Sequence, residues 1–348
     1  MAERKIYPSL DIMKFIMAML ILTQHTSNEW AHSKGIVHAF FGLGNFAVPF
    51  FFACSGFLFF SKLKTLDMGG QKEYYKKWSL RIGKMYLVWS LIYFCFIFWG
   101  WCSEGLNFNQ PITFLHRSVV YSTYATIWFL PALWLGVSIC YWLKRHTCKS
   151  ALWIIMLLLF VTGNLFGSYT NIITQVPVLA SFHDFYMELF ITWRNGVFNG
   201  APYIFIGILL AEGVSVNISR FVSYLATLFF CSAFIVEAFC ITKFKFSSAT
   251  DMGFLMAPAI FFMMDALIKT DIQQKTIWTH CRNLSMLIFL GQRLFLSAIP
   301  GVLPICVKEN IMTWPQFYIF LLFVTLTIIF SISVEQLSDK YKFLKNLW

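Results

Sequence analysis

Three ionisable residues stand at helical spacing inside one apolar stretch, PSLDIMKFIMAMLILTQHTSNEW, over residues 8–30: Asp11, Lys14 and His25. An α-helix turns about 100° and rises about 1.5 Å per residue. Lys14 and His25 therefore differ by roughly 20° in azimuth and about 16 Å in height, and Asp11 and His25 by roughly 40°. A stripe of carboxylate, ammonium and imidazole can hold a proton, pass it on or bind an anion. Imidazole is the member that titrates near neutral pH, which makes His25 the candidate acid–base group. Ionisable groups in an apolar span are costly and mark functional sites. Arg293, well inside the apolar run SMLIFLGQRLFLSAIP, is the next candidate on the same ground.

Such groups need a scaffold that keeps them off lipid, and the composition says which kind. Of 348 residues 58% are hydrophobic, 19% aromatic and 12% charged, where soluble domains carry about 25% charged residues. The chain is expected to be an all-α, polytopic membrane protein forming a single domain over 1–348, with no separate soluble domain. At about 20 apolar residues per span, ten transmembrane helices are predicted, near 8–29, 38–61, 80–101, 124–143, 151–168, 196–212, 220–241, 251–268, 284–304 and 315–335. The spans near 124–143 and 196–212 are interrupted by Pro131 and Pro202. The start, MAERKIYPSLD, leads into the first span with no small-residue cleavage site, so a retained helix is expected.

With ten spans, both termini fall on one side. Most loop Lys and Arg, 19 against 6, share that side, the other keeping Lys34, Arg117, Arg194, Lys243, Lys245 and Lys308. By the positive-inside rule the termini are cytoplasmic. The net charge of +11 then reads as membrane topology and not as nucleic-acid binding. The nine Cys show no C-x-x-C or Cys/His ligand spacing, so neither a disulfide framework nor a metal site is indicated.

The basic segment KLKTLDMGGQKEYYKKWSLRIGKMY reads as a topology determinant and a contact for anionic membrane lipid. Within it, Lys77, Arg81 and Lys84 fall on one helix face and could grip the phosphates of a cytosolic anion. Cys54, Ser55 and Gly56 form a small-residue patch suited to helix packing, as does the Gly196/Gly200 spacing. Trp128 and Trp134 could line a cavity or an interfacial belt. His183, Asp184, Glu188 and Arg194 read mainly as solvated loop charges.

The segment LDIMKFIMAMLILTQH resembles the opening helix of the membrane acyltransferase 3 family, which typically shows Leu-Asp, then Arg, ten residues and His. Lys14 occupies the Arg position here. VPFFFACSGFLFF, the surroundings of Arg81, WFLPALW and RNGVFNGAPYIFIGILLA are also similar to the family, in the family's order. SMLIFLGQRLFL is similar to a family stretch that often ends in His, where this chain has Gln292. The resemblance implies a bacterial inner-membrane O-acyltransferase. It would move an acyl group, acetyl being expected, from cytosolic acyl-CoA to a hydroxyl of a cell-surface or lipid-linked glycan. His25 would be the general base and Arg293 a stabiliser of the tetrahedral intermediate. Lys14 would contact CoA or pair with Asp11, and Lys77, Arg81 and Lys84 would hold the CoA phosphates. Two other functions remain open: a transporter with a polar pathway through Asp11, Lys14, His25 and Arg293, and a non-catalytic partner in a glycan-assembly complex. Acceptor identity, acyl chain length and oligomeric state, homo-oligomer included, are not set by the sequence.

Overall fold

The computed structural model describes residues 6–26, 42–105, 107, 109–247 and 249–348, all helix, turn or connecting segment. Arg4, Lys5, Trp30 and Lys34 lie outside the described residues. The helices are α1 (Pro8–Thr26), α2 (Ala47–Leu63), α3 (Met68–Glu104), α4 (Asn109–Val120) and α5 (Phe129–His146). They continue with α6 (Lys149–Ser168), α7 (Pro177–Phe190), α8 (Ala201–Glu212) and α9 (Arg220–Lys243). The last are α10 (Met256–Ile268), α11 (Thr276–Arg293), α12 (Ile305–Met312) and α13 (Gln316–Leu337).

Among the described residues, seven helical segments are long and apolar enough to cross a membrane: 42–63, 68–103, 126–146, 149–168, 220–243, 276–302 and 317–337. Segments 196–212 and 256–268 are apolar but shorter. α1 is not among the seven, because Asp11, Lys14, Gln24 and His25 make it more polar than a lipid-facing span. The basic segment that precedes the third predicted span is helical from Met68 onward. Its run of Gln, Lys, Glu, Leu and Arg favours helix, and it contains no Pro to stop one. Pro131 and Pro202 lie inside the helical segments 126–146 and 196–212, where the helix type changes: each sits in the first α-helical turn, of α5 and α8, just after a 3-10 turn (Thr126–Trp128) and a π-helical turn (Gly196–Gly200) respectively. α4 and α7, of 12 and 14 residues, fall below the length that a search for spans detects.

The chain forms two compact units interleaved in sequence. The first comprises residues 1–47, 83–128 and 273–348, and the second residues 48–82 and 129–272, with α3 shared between them.

In the first unit α1 packs along α11, and both contact α13. α1 buries Leu10, Met17, Ala18, Ile21 and Leu22, a stripe at helical spacing. α3 contributes Trp89 and Tyr93, both fully buried. Burying these rings strands one polar atom each, and each finds a carbonyl. Trp89 Nε1 donates to the Leu347 carbonyl at 2.9 Å, and the Tyr93 hydroxyl donates to the Leu290 carbonyl at 2.6 Å. Gly291 permits the approach of α3, since a Cβ there would stand 3.2 Å from the Trp89 ring.

In the second unit α8 is buried along most of its length against α5, α6 and α10. Small residues set these distances. A Cβ at Gly196 would lie 2.6 Å from the Ala132 carbonyl, and one at Gly56 2.6 Å from the Ile204 carbonyl, so both glycines serve close packing. Glu237 on α9 accepts the Tyr169 hydroxyl at 2.7 Å and the backbone N–H groups of Phe254 and Leu255 at 2.8 and 2.9 Å. A carboxylate capping the start of α10 satisfies donors that would otherwise stay unpaired in an apolar setting.

Candidate active site

The α1–α11 pair gathers the residues with chemical capability. Asp11 is buried, and its Oδ1 accepts Lys14 Nζ at 3.1 Å, one turn along α1. Its Oδ2 lies 3.9 Å from Arg282 Nη1 on α11. At the other end of the pair, Arg293 Nη2 lies 3.3 Å from His25 Nδ1. Asp11 facing Arg282 and His25 facing Arg293 means that α1 and α11 run parallel. Between the two contacts α1 advances fourteen residues, Asp11 to His25, and α11 eleven, Arg282 to Arg293, rises of about 21 and about 16 Å.

The expected stripe is therefore present but divided. Asp11 and Lys14 form a charge cluster with Arg282, a residue that the sequence alone does not single out. His25 and Arg293 form a separate pair. A guanidinium donates and never accepts, so the His25 nitrogen that it meets presents its lone pair. In the neutral ring the proton then sits on Nε2. This is the state of an imidazole able to take a proton at Nδ1.

The surroundings fix Arg293. α11 passes directly into a wider π-helical turn, Leu294–Ala298, a distortion found frequently at functional sites. Ser297 Oγ donates to the Arg293 carbonyl at 3.2 Å and lies 3.0 Å from the Tyr124 hydroxyl. Tyr124 stacks on Tyr93, ring centroids 4.3 Å apart and planes within 9°. Gln292, fully buried, donates from Nε2 to the Phe289 carbonyl at 2.9 Å, while its Oε1 makes no hydrogen bond with the described residues.

Lys77, Arg81 and Lys84 are exposed along one face of α3. Lys77 pairs with Glu73 at 2.6 Å in open solvent, a contact of small energetic weight. Trp128 is buried and stacks on Tyr121, whereas Trp134 is exposed, so only the second suits a lipid-facing belt. In the second unit Asp184 and Glu188 are exposed. Arg194 instead forms an ion pair with Asp251, and Trp193 Nε1 donates to His183 Nδ1 at 3.0 Å. All four line a cleft of about 520 Å³.

Among curated proteins, an amino-acid racemase of Enterococcus faecalis is 25% identical over 287 residues, covering 79% of this chain and 38% of that protein. A serine/alanine racemase of Enterococcus gallinarum is 23% identical over 285 residues, covering 81% of this chain and 40% of that protein. The chain thus spans about two-fifths of the length of these curated relatives. No solved structure matches it. The family model described as an acyltransferase domain matches residues 7–334. With that match over nearly its whole length, and with its several spanning helices, the chain is a multi-pass membrane protein that belongs to the acyltransferase 3 family.

Proposed function

We propose that the protein is an O-acyltransferase of the bacterial cytoplasmic membrane, with ten spans and both termini in the cytosol. It moves an acyl group, acetyl foremost, from cytosolic acyl-CoA to a hydroxyl of a cell-surface or lipid-linked glycan. The observation that carries this reading is the His25–Arg293 pair in a chain of an acyltransferase family.

The acceptor hydroxyl takes the place of Arg293 at His25 Nδ1. Its proton passes to Nδ1 as its oxygen attacks the thioester carbonyl carbon. The carbonyl oxygen gains negative charge, and the displaced guanidinium lies beside it as a ready donor. The tetrahedral intermediate collapses by breaking the C–S bond. The CoA sulfur leaves and recovers the proton from the imidazolium, so His25 ends neutral and the products are ester and thiol. Lys77, Arg81 and Lys84 supply cations for the donor's phosphates, Arg81 with the planar fork that suits them. Asp11, Lys14 and Arg282 fix the register of α1 on α11 and thus the distance between His25 and Arg293.

Mass spectrometry of surface glycan from cells carrying His25→Ala tests the assignment. Acyl groups on the glycan should be lost while protein level stays normal. Unchanged acylation would remove His25 from the mechanism.

A further inference from the structure

The first unit contains a cleft of about 440 Å³, within the roughly 300–1,000 Å³ usual for ligand sites. We infer that this cleft seats the acceptor, and that it recognises a hydroxyl-rich saccharide. The inference rests on the acyltransferase reading and adds to it the place and chemistry of the second substrate.

Three observations carry it. The first is the lining: the rings of Trp101 and Phe114 stand beside Asn109, Gln110, Thr113 and Tyr124. Sugars present flat C–H faces to aromatic rings and hydroxyls to amides and alcohols, and this wall offers both. The second is the shape of α4. Gln110, Thr113 and Arg117, at three- and four-residue spacing, line the cleft. Ile112, Leu115 and Val119 occupy the opposite face and are 67%, 65% and 78% exposed. An amphipathic helix of this kind lies at a membrane surface with its apolar side in lipid. The cleft therefore opens where a saccharide head borne on a lipid would be presented. Arg117, over the Tyr121 ring at 5.9 Å, adds a cation suited to an acidic substituent of such a head.

The third observation connects the cleft to the reacting pair. Tyr124 forms part of the cleft wall, and its hydroxyl lies 3.0 Å from Ser297 Oγ. That oxygen donates to the carbonyl of Arg293 itself. Thr123, also in the wall, contacts Ser90 of α3 at 2.8 Å, and the backbone N–H of Thr123 donates to the Tyr86 hydroxyl. The side of the cleft at Thr123 and Tyr124 is thus tied by hydrogen bonds to α3 and to the turn that follows Arg293, and a saccharide held against Tyr124 borders that turn.

Two measurements on the full-length purified protein decide the matter, with saccharide extracted from the envelope of cells lacking this chain as the probe. First, transfer from radiolabelled acetyl-CoA is followed in Thr113→Trp, which fills the cleft, and in Gln110→Ala, which removes one amide. The acceptor KM should rise roughly tenfold and threefold respectively, about 1.4 and 0.7 kcal/mol, with the acetyl-CoA KM unchanged. A wild-type acceptor KM in Thr113→Trp overturns the inference. Second, Thr113→Cys is alkylated with a maleimide, read on the peptide carrying position 113. Saccharide should slow alkylation severalfold, and no protection overturns the inference whatever the transfer result. Protection without transfer by the wild type would leave the saccharide cleft standing and refute the acyltransferase reading instead.

Discussion

The two ends of the α1–α11 pair hold the same kinds of group in different states. At one end a buried carboxylate lies between Lys14 and Arg282, so two cations share one anion. At the other end a guanidinium donor faces an imidazole nitrogen, a contact of a cation with a base and not of two opposite charges. Paired ions orient helices but have little left to give a reaction. A cation beside a neutral base can both surrender the base to a hydroxyl and turn to a developing oxyanion. The contact of Asp11 with Arg282 makes the first end the rivet that holds the second in alignment.

Breaking the reactive end should have the largest effect. His25→Ala is expected to lower the rate of acyl transfer by about 10²–10⁴, measured as labelled ester formed per minute at saturating donor and acceptor. Arg293→Gln keeps a donor but loses the cation, and should lower kcat by about 10²–10³. Arg293→Lys, a point charge without the fork, should recover part of that loss.

Breaking the riveting end should act on stability instead. Asp11→Asn leaves Lys14 and Arg282 without their carboxylate and should cost about 2 kcal/mol, since removing one partner of a buried pair is destabilising and Arg282 is partly solvated. A lowered thermal midpoint in detergent, with kcat within a few-fold of wild type, is the expected pattern. A loss of kcat equal to that of His25→Ala in a normally folded protein would erase the distinction between the ends. Outside both ends, Arg81→Ala should raise the acyl-CoA KM severalfold, about 1 kcal/mol, and leave kcat at saturating donor unchanged.

Much of this site was legible in the sequence because it depends on local rules. Asp11, Lys14 and His25 share a stripe because helical period places them there, and Arg293 stands out because charge in an apolar run needs a reason. Arg282 could not be read that way. Its partner Asp11 is 271 positions away in the sequence, and nothing local pairs α1 with α11. Glu237 was missed similarly: a lone carboxylate in an apolar helix shows its purpose only once α10 begins beside it. Tyr124 and Ser297 were invisible for another reason, because neutral hydroxyls carry no charge anomaly and matter through a contact spanning 173 positions. α4 was lost to its length of 12 residues, although its two-faced pattern is plain once helical spacing is applied to so short a run.

The most direct test sets donor binding against transfer in one preparation. Purified wild-type protein and His25→Ala are compared for acetyl-CoA affinity and for transfer of labelled acetyl to envelope saccharide. The expected result is equal donor affinity with transfer reduced at least about a hundredfold in the variant. Undiminished transfer by His25→Ala at saturating donor would contradict the assignment of His25 as the base that Arg293 holds ready.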